Sequence, residues 1–179
     1  MDIINFKLKD FLKQDINTIT DYFFILNQLE PIPTKKEVYY LKLKEVEHIK
    51  TNINSGLDKD IVDIISLVQD VKKEDILDLD IIQVFGLINS VKEQVLNINK
   101  AETNALSNNI PNVKFEQVEG SKRLQKFGIY NTLNQLSDGN ILKWDAILEL
   151  PYDMVFTKLY LDKTNNDIQY EISQIKSAK

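Results

Sequence analysis

The chain has very few of the side chains that usually carry out chemistry. Its 179 residues include no cysteine, one histidine (His48) and one arginine (Arg123). Without cysteine there are no disulfides, thiolate metal sites or cysteine nucleophiles, and one histidine leaves no multi-histidine metal site. A single arginine argues against an arginine-clamped phosphate site. A binding or structural role is therefore favoured over an enzymatic one.

Glycine and long apolar runs are also scarce. The five glycines are scattered, and glycine-rich phosphate loops, His-Glu-x-x-His and Gly-x-Ser-x-Gly do not occur. The longest apolar stretches, Tyr22 to Leu26 and Ile81 to Leu87, fall far below the roughly 20 residues that cross a bilayer. The first ten residues carry charges where a signal peptide needs an apolar run. We therefore expect no cofactor, no membrane association and no export by a signal peptide.

The balance of charge and hydrophobicity is that of a globular chain without a nucleic-acid partner. The net charge is −5, and the lysines are interleaved with acids. Because nucleic-acid binding needs clustered cations, we expect no DNA or RNA partner. Hydrophobic residues make up 43% of the sequence, more than a disordered chain contains, so a core should form without disulfides or metals.

Apolar residues recur at spacings of three and four along most of the chain, which predicts a mainly α fold. The first such stretch, Phe6 to Leu26, indicates one or two short helices with Asp15 and Asn17 in capping positions. Pro31 and Pro33 forbid helix continuation. We therefore predict an N-terminal helical segment over residues 1–30.

One short two-stranded β element is predicted within the helical fold. Val38 to Leu43 has the β-branched and aromatic character of a strand, and Val113 to Val118 alternates apolar and polar residues. The two segments are predicted to pair as a ribbon. Because an isolated ribbon is marginal in water, helices or a partner strand would have to cover it.

Residues 36–103 are predicted to form a helical core with a leading strand. Helical spacing covers 44–54 and 58–69, and a longer helix runs from Ile81 to Ile98. Gly86 weakens that helix, so we expect it to permit close approach by a neighbouring element. The polar stretch from Asn104 to Asn112 predicts a linker.

Residues 112–179 are predicted to form the C-terminal strand plus helices. One helix, Leu124 to Leu136, ends at the turn formed by residues 137–140. A second follows from Ile141, and a last begins at Pro151 in the first helical position. Trp144 lies within this apolar pattern, which favours a role in helix packing over ligand binding.

An acidic cluster between two helical segments is the one candidate for metal or carboxylate chemistry. Glu74, Asp75, Asp78 and Asp80 could supply oxygen ligands to Mg²⁺ or Ca²⁺. Asp78 or Asp80 equally suits the N-cap of the long helix, and this interpretation is favoured. His48 has no second ligand nearby in the sequence. We therefore predict no catalytic, metal-binding or cofactor-binding residue.

The C-terminal part of the chain resembles small structural and tail-assembly proteins of tailed bacteriophages. The residues that carry the resemblance are Phe127-Gly128-Ile129-Tyr130-Asn131, then Leu136-Ser137-Asp138-Gly139-Asn140-Ile141-Leu142-Lys143-Trp144-Asp145, and finally Leu150-Pro151-Tyr152-Asp153-Met154-Val155. The resemblance implies a virion component or assembly factor that works by protein contacts. It carries no functional residue across.

The leading hypothesis is a non-enzymatic phage virion structural or tail-assembly protein, located in the virion or the host cytoplasm. Its expected partners are other virion or assembly proteins or further copies of the chain. The residues predicted to mediate contact are Trp144, Tyr152, Phe156, Leu159 and Tyr160. One alternative is a bacterial helical adaptor or regulatory module. Another is a carboxylate enzyme using the acids from Asp75 to Asp80.

Overall fold

The computed structural model describes residues 6–55, 58–107 and 113–177, and this part of the chain is mainly helical. The helices are α1 (Leu8–Phe11), α2 (Ile16–Leu26), α3 (Leu43–Asn52), α4 (Asp58–Gln69), α5 (Lys73–Ile76), α6 (Ile81–Leu106), α7 (Val113–Gln117), α8 (Gly120–Gln125), α9 (Ile129–Leu136), α10 (Trp144–Leu148) and α11 (Tyr152–Ser177). Short 3-10 helices cover Val38–Tyr40 and Ile141–Lys143. The mainly α prediction is confirmed.

The predicted two-stranded β element is wrong. Within the described ranges the only β pairing consists of isolated bridges, Lys7 with Asp80 and Lys42 with Pro151. The first predicted strand instead forms the 3-10 turn, where the buried Val38 donates its backbone N–H to Gln94 Oε1 at 2.7 Å. The second forms α7, in which Val113 is 62% exposed. In the first segment, the Gln94 side chain and the 3-10 turn provide the backbone hydrogen bonds that a neighbouring strand would otherwise provide. The second segment buries no apolar face of the kind that stabilises a strand.

The chain divides into two compact units. Unit 1 comprises residues 1–41 and 45–98, and unit 2 comprises residues 42–44 and 99–179. Helix α6 runs through both, because its first eighteen residues belong to unit 1 and its last eight to unit 2. The three segments predicted from the sequence, 1–30, 36–103 and 112–179, stay a prediction about domains.

Unit 1 is organised around the first part of α6. Every residue from Val84 to Val91 is buried, which is the pattern of a helix surrounded by other elements rather than one with a single apolar stripe. The rings of Phe11 and Phe23 meet Phe85 edge-on, with centroids 6.2 and 5.2 Å from that of Phe85. These contacts hold α1 and α2 against the central helix.

The proline-containing segment after α2 lies directly against α6. Ile32 donates its backbone N–H to the Gly86 carbonyl at 2.9 Å. A Cβ placed on Gly86 would lie 2.5 Å from Ile32 Cδ1 and 3.3 Å from the Glu30 carbonyl oxygen. The predicted close approach at Gly86 is therefore confirmed. The capping role of Asp15 is also confirmed, since its carboxylate accepts from the N–H groups of Asn17 and Thr18.

Unit 2 contains the short helices α7 to α10 and the long α11. The single helix predicted from Leu124 to Leu136 is interrupted, because Gly128 adopts a positive φ of 49° between α8 and α9. The turn that ends α9 lies where it was predicted, with positive φ at Asp138 and Gly139. Pro151 directly precedes α11, whose first residue is Tyr152. Residues 108–112 of the predicted linker lie outside the described residues.

Candidate functional site

The two units distribute their apolar side chains in opposite ways. Of the twenty-five buried apolar side chains among the described residues, twenty lie in unit 1. Of the twenty-two large apolar side chains that are exposed, sixteen lie in unit 2. The exposed set of unit 2 is Val113, Phe115, Val118, Leu124, Phe127, Tyr130, Ile141, Leu142, Leu150, Met154, Tyr160, Leu161, Ile168, Tyr170, Ile172 and Ile175. This surface is the candidate functional site.

One part of this surface, which we name the α8–α9 patch, consists of Leu124, Phe127 and Tyr130. These side chains are 45%, 47% and 55% exposed. They lie on either side of Gly128, where the chain leaves α8 and enters α9. Three large, partly exposed apolar side chains thus fall within seven residues of one turn, and side chains of this kind often anchor protein interfaces.

Hydrogen bonds rather than burial hold the patch in place. The side-chain amide of Asn131 donates to the Leu124 carbonyl at 2.7 Å, and the N–H of Gly128 donates to the Gln125 carbonyl at 3.1 Å. These bonds satisfy carbonyls at the end of α8, which a helix terminus otherwise leaves without partners. The backbone under the patch is therefore fixed while its side chains face solvent.

Trp144 borders the patch. Its ring centroid lies 5.4 Å from that of Tyr130, and its indole Nε1–H donates to Ser137 Oγ at 3.2 Å. Ser137 is fully buried, whereas the Trp144 side chain is half-buried. Trp144 thus joins the start of α10 to the end of α9 and presents the remainder of its ring beside Tyr130.

The other predicted contact residues lie on α11 and differ in exposure. Tyr152 is buried, and its hydroxyl donates to Glu102 Oε1 at 2.6 Å. Its ring stacks on Phe156 with centroids 6.2 Å apart, and Phe156 stacks on Tyr160 at 6.5 Å. Tyr160 is 51% exposed, and Leu159 is half-buried beside a cavity of about 310 Å³. The structure thus aligns Tyr152, Phe156 and Tyr160 along α11 and places Trp144 beside Tyr130.

Two acids of the predicted cluster, Asp78 and Asp80, form ion pairs with lysines. Asp78 accepts from Lys9 Nζ at 2.5 Å, and Asp80 accepts from Lys7 Nζ at 2.9 Å. The hydrogen bond from Lys9 lowers the pKa of Asp78, and the same bond raises the pKa of Lys9. Across residues 6–55, 58–107 and 113–177, no three His, Asp or Glu side chains form a group that could hold a metal ion.

His48 and Arg123 are the only histidine and the only arginine of the sequence. His48 is half-buried, and its Nδ1 lies 3.0 Å from Asn52 Nδ2 one turn later on α3. Arg123 is exposed on α8. Among the helices that the structure describes, none combines the length and apolar character needed to cross a membrane.

The exposed side chains of the α8–α9 patch could not be separated from core residues by their spacing. Leu124, Phe127 and Tyr130 recur at intervals of three, as residues of a buried helix face also do. Which stripe is covered depends on how many elements pack around it, and no local pattern encodes that number. The chain has no match among protein-family models, among curated proteins or among solved structures.

Proposed function

We propose that this chain is a non-enzymatic structural or tail-assembly protein of a tailed bacteriophage and that it acts through protein–protein contacts made by unit 2. The observation that carries the proposal is the concentration of exposed apolar side chains in that unit. Contiguous apolar patches on a soluble chain mark interaction surfaces.

The chemistry of the α8–α9 patch suits a protein partner. Phenylalanine, tyrosine and tryptophan are enriched at interface cores, and here Phe127, Tyr130 and Trp144 occur together. Their backbone is already fixed by hydrogen bonds, so a partner would order few additional groups on binding. The side chain of Lys126 lies 5.0 Å from the centre of the Phe127 ring, which places a cation at the rim of the patch.

The bacteriophage assignment is supported by where the resemblance falls. The segment from Phe127 to Val155, which resembles tail-assembly proteins, contains part of the patch and the turn that follows it. It also contains Ile141 and Leu142, which are 64% and 89% exposed. The similar residues therefore include exposed apolar side chains, as expected where assembly contacts are made, beside the buried Ser137, Tyr152 and Val155.

Gene neighbourhood is the first test of this function. A virion or assembly role predicts that the gene lies beside genes for portal, tape-measure or baseplate proteins. A position within a bacterial metabolic operon, away from any such gene, contradicts it and favours the bacterial adaptor.

Association with particles is the biochemical test. We expect the chain to sediment with purified particles or assembly intermediates, and Phe127→Ser with Tyr130→Ser to abolish this. The matched control is Phe24→Ser in unit 1, which removes a side chain that is 75% exposed and should leave association intact. Equal loss in both variants, or no association of the unaltered chain, contradicts the proposal.

A further inference from the structure

Helix α11 carries a second apolar stripe on the face opposite its packed residues. The packed face includes Tyr152, Leu159 and Lys163, which are buried or half-buried. The opposite stripe consists of exposed residues at a seven-residue interval, with one further isoleucine: Met154, Leu161, Ile168, Ile172 and Ile175. At 3.6 residues per turn these five side chains fall within about 60° of arc.

The stripe follows the heptad pattern of a coiled coil. The step from Ile168 to Ile172 is four residues and the step from Ile172 to Ile175 is three, so Ile172 occupies an a position. Met154, Leu161, Ile168 and Ile175 then occupy four successive d positions. Asn165 occupies the a position one heptad before Ile172, and it is exposed.

The last turns of α11 are not covered by any other described element. Every residue from Ile168 to Ile175 is exposed, including the isoleucines at 46%, 39% and 67%. A helical segment as short as Ile168 to Ile175 is marginal in water when nothing packs on it, because most helical stability in proteins comes from packing of an apolar face. A neighbouring helix along this stripe would supply that packing.

We propose that α11 associates with α11 of other copies of this chain as a parallel, in-register coiled coil over residues 161–175. In that arrangement the Asn165 side chains of neighbouring copies meet and hydrogen-bond, which is how a single polar a residue fixes register. An antiparallel arrangement would place Asn165 against a d isoleucine and leave the buried amide without a partner.

The residues that flank the stripe are compatible with parallel copies. Neighbouring g and e positions bring Thr164 beside Gln169 and Thr157 beside Asp162, so no two like charges meet. The ion pairs of α11, Lys158 with Asp162 and Lys163 with Asp167, form within the helix. The inference names the partner of one surface of unit 2, and it rests on the proposed function only in taking protein contact as the role of that unit.

Sedimentation of the full chain across a wide concentration series is the test. The unaltered chain should shift from monomer to oligomer, and Ile172→Glu should weaken this by at least about a hundredfold because it buries an unpaired carboxylate. Tyr170→Glu is the matched control, since it introduces the same charge in the same turn at an f position. A chain that stays monomeric throughout, or equal effects of the two variants, overturns the proposal.

A second pair of variants keeps the test valid if Ile172→Glu loses helicity by circular dichroism. Asn165→Ile should tighten association, because the polar a residue costs stability in a coiled coil. The chain has no cysteine, so Asn165→Cys and Tyr170→Cys report on orientation without background. Oxidation should cross-link Asn165→Cys covalently and leave Tyr170→Cys without a cross-link, and the reverse result overturns the parallel arrangement.

The two proposals fail separately. Loss of self-association in Ile172→Glu with Phe127 and Tyr130 unchanged tests only the coiled coil. Loss of particle association in the Phe127 and Tyr130 variant, with self-association preserved, tests only the α8–α9 patch.

Discussion

Units 1 and 2 are built from the same kinds of amphipathic segment and yet reach different degrees of burial. In unit 1 a long stretch of α6 is enclosed on all sides, so apolar residues on the surrounding helices have a common partner. In unit 2 the helices α7 to α10 span eight residues or fewer, and nine of the fifteen large apolar side chains between residues 113 and 150 stay exposed. Helical periodicity places apolar side chains on one face of a helix, and these side chains become buried only where a central element packs against that face.

The largest contrast is expected between two phenylalanines. Phe85→Ala in unit 1 should lower the free energy of unfolding by about 3–5 kcal/mol, because it empties a buried site packed by Phe11 and Phe23. Phe127→Ala in unit 2 should cost at most about 1 kcal/mol, since the ring is 47% exposed. Denaturant unfolding of both variants measures the difference. Similar losses would show that the α8–α9 patch is part of a core.

A smaller effect is expected inside the α6 contact of unit 1. Gly86→Ala improves helix propensity but places a methyl group against Ile32 and the Glu30 carbonyl. Overpacking should dominate and lower the free energy of unfolding by about 1–2 kcal/mol. Thermal unfolding checks this, and an increase in stability would mean that the proline-containing segment yields easily.

In unit 2, a buried and an exposed position of α11 can be compared with a matched pair of tyrosines, Tyr152 and Tyr160. Tyr152→Phe removes the hydroxyl that donates to Glu102 and should cost about 0.5–1.5 kcal/mol. Tyr160→Phe removes an exposed hydroxyl and should leave stability within about 0.5 kcal/mol of the unaltered chain. Equal values, measured by urea unfolding, would contradict the burial of Tyr152 against Glu102.

The smallest effect concerns acid stability of unit 2. Hydrogen bonds from Lys42 and Lys44 lower the pKa of Glu149 in the folded chain. A carboxyl whose folded pKa is depressed stabilises the fold above its unfolded pKa of about 4.3, and this contribution is lost as pH falls through the lower folded value. Glu149→Gln should therefore flatten the acid limb of the stability curve slightly. A steeper acid limb in the variant would contradict the ion pairs.

The helices were predictable where one strong local signal governed them. The segments that became α2, α3, α4 and α6 have apolar spacing of three and four, and Asp15 marks the start of one of them. The turn after α9 was predictable because Gly139 suits a positive φ. The β prediction was wrong because the buried Val38 and Leu41 lie in and directly after a 3-10 turn, whose Val38 N–H bonds to Gln94 of α6, and β-branched residues favour any half-buried surface.

The candidate site was predictable only in outline. The sequence predicted contact residues that the structure places on α11, among them Phe156 and Tyr160, and the preference for contact over catalysis stays a prediction. It did not single out the α8–α9 patch, because exposure depends on which elements pack nearby. Two opposite apolar faces on α11 were also not predicted, since Tyr152 and Leu161 belong to overlapping periodic patterns that cover both sides of the helix.

Hydroxyl-radical footprinting of the chain, free and within purified particles, tests most directly whether the exposed apolar surface of unit 2 is covered by protein. The account predicts that oxidation of Phe127 and Tyr130 falls strongly in particles while oxidation of the exposed Phe24 in unit 1 is unchanged. Unchanged oxidation of Phe127 and Tyr130 in particles that contain the chain would contradict it.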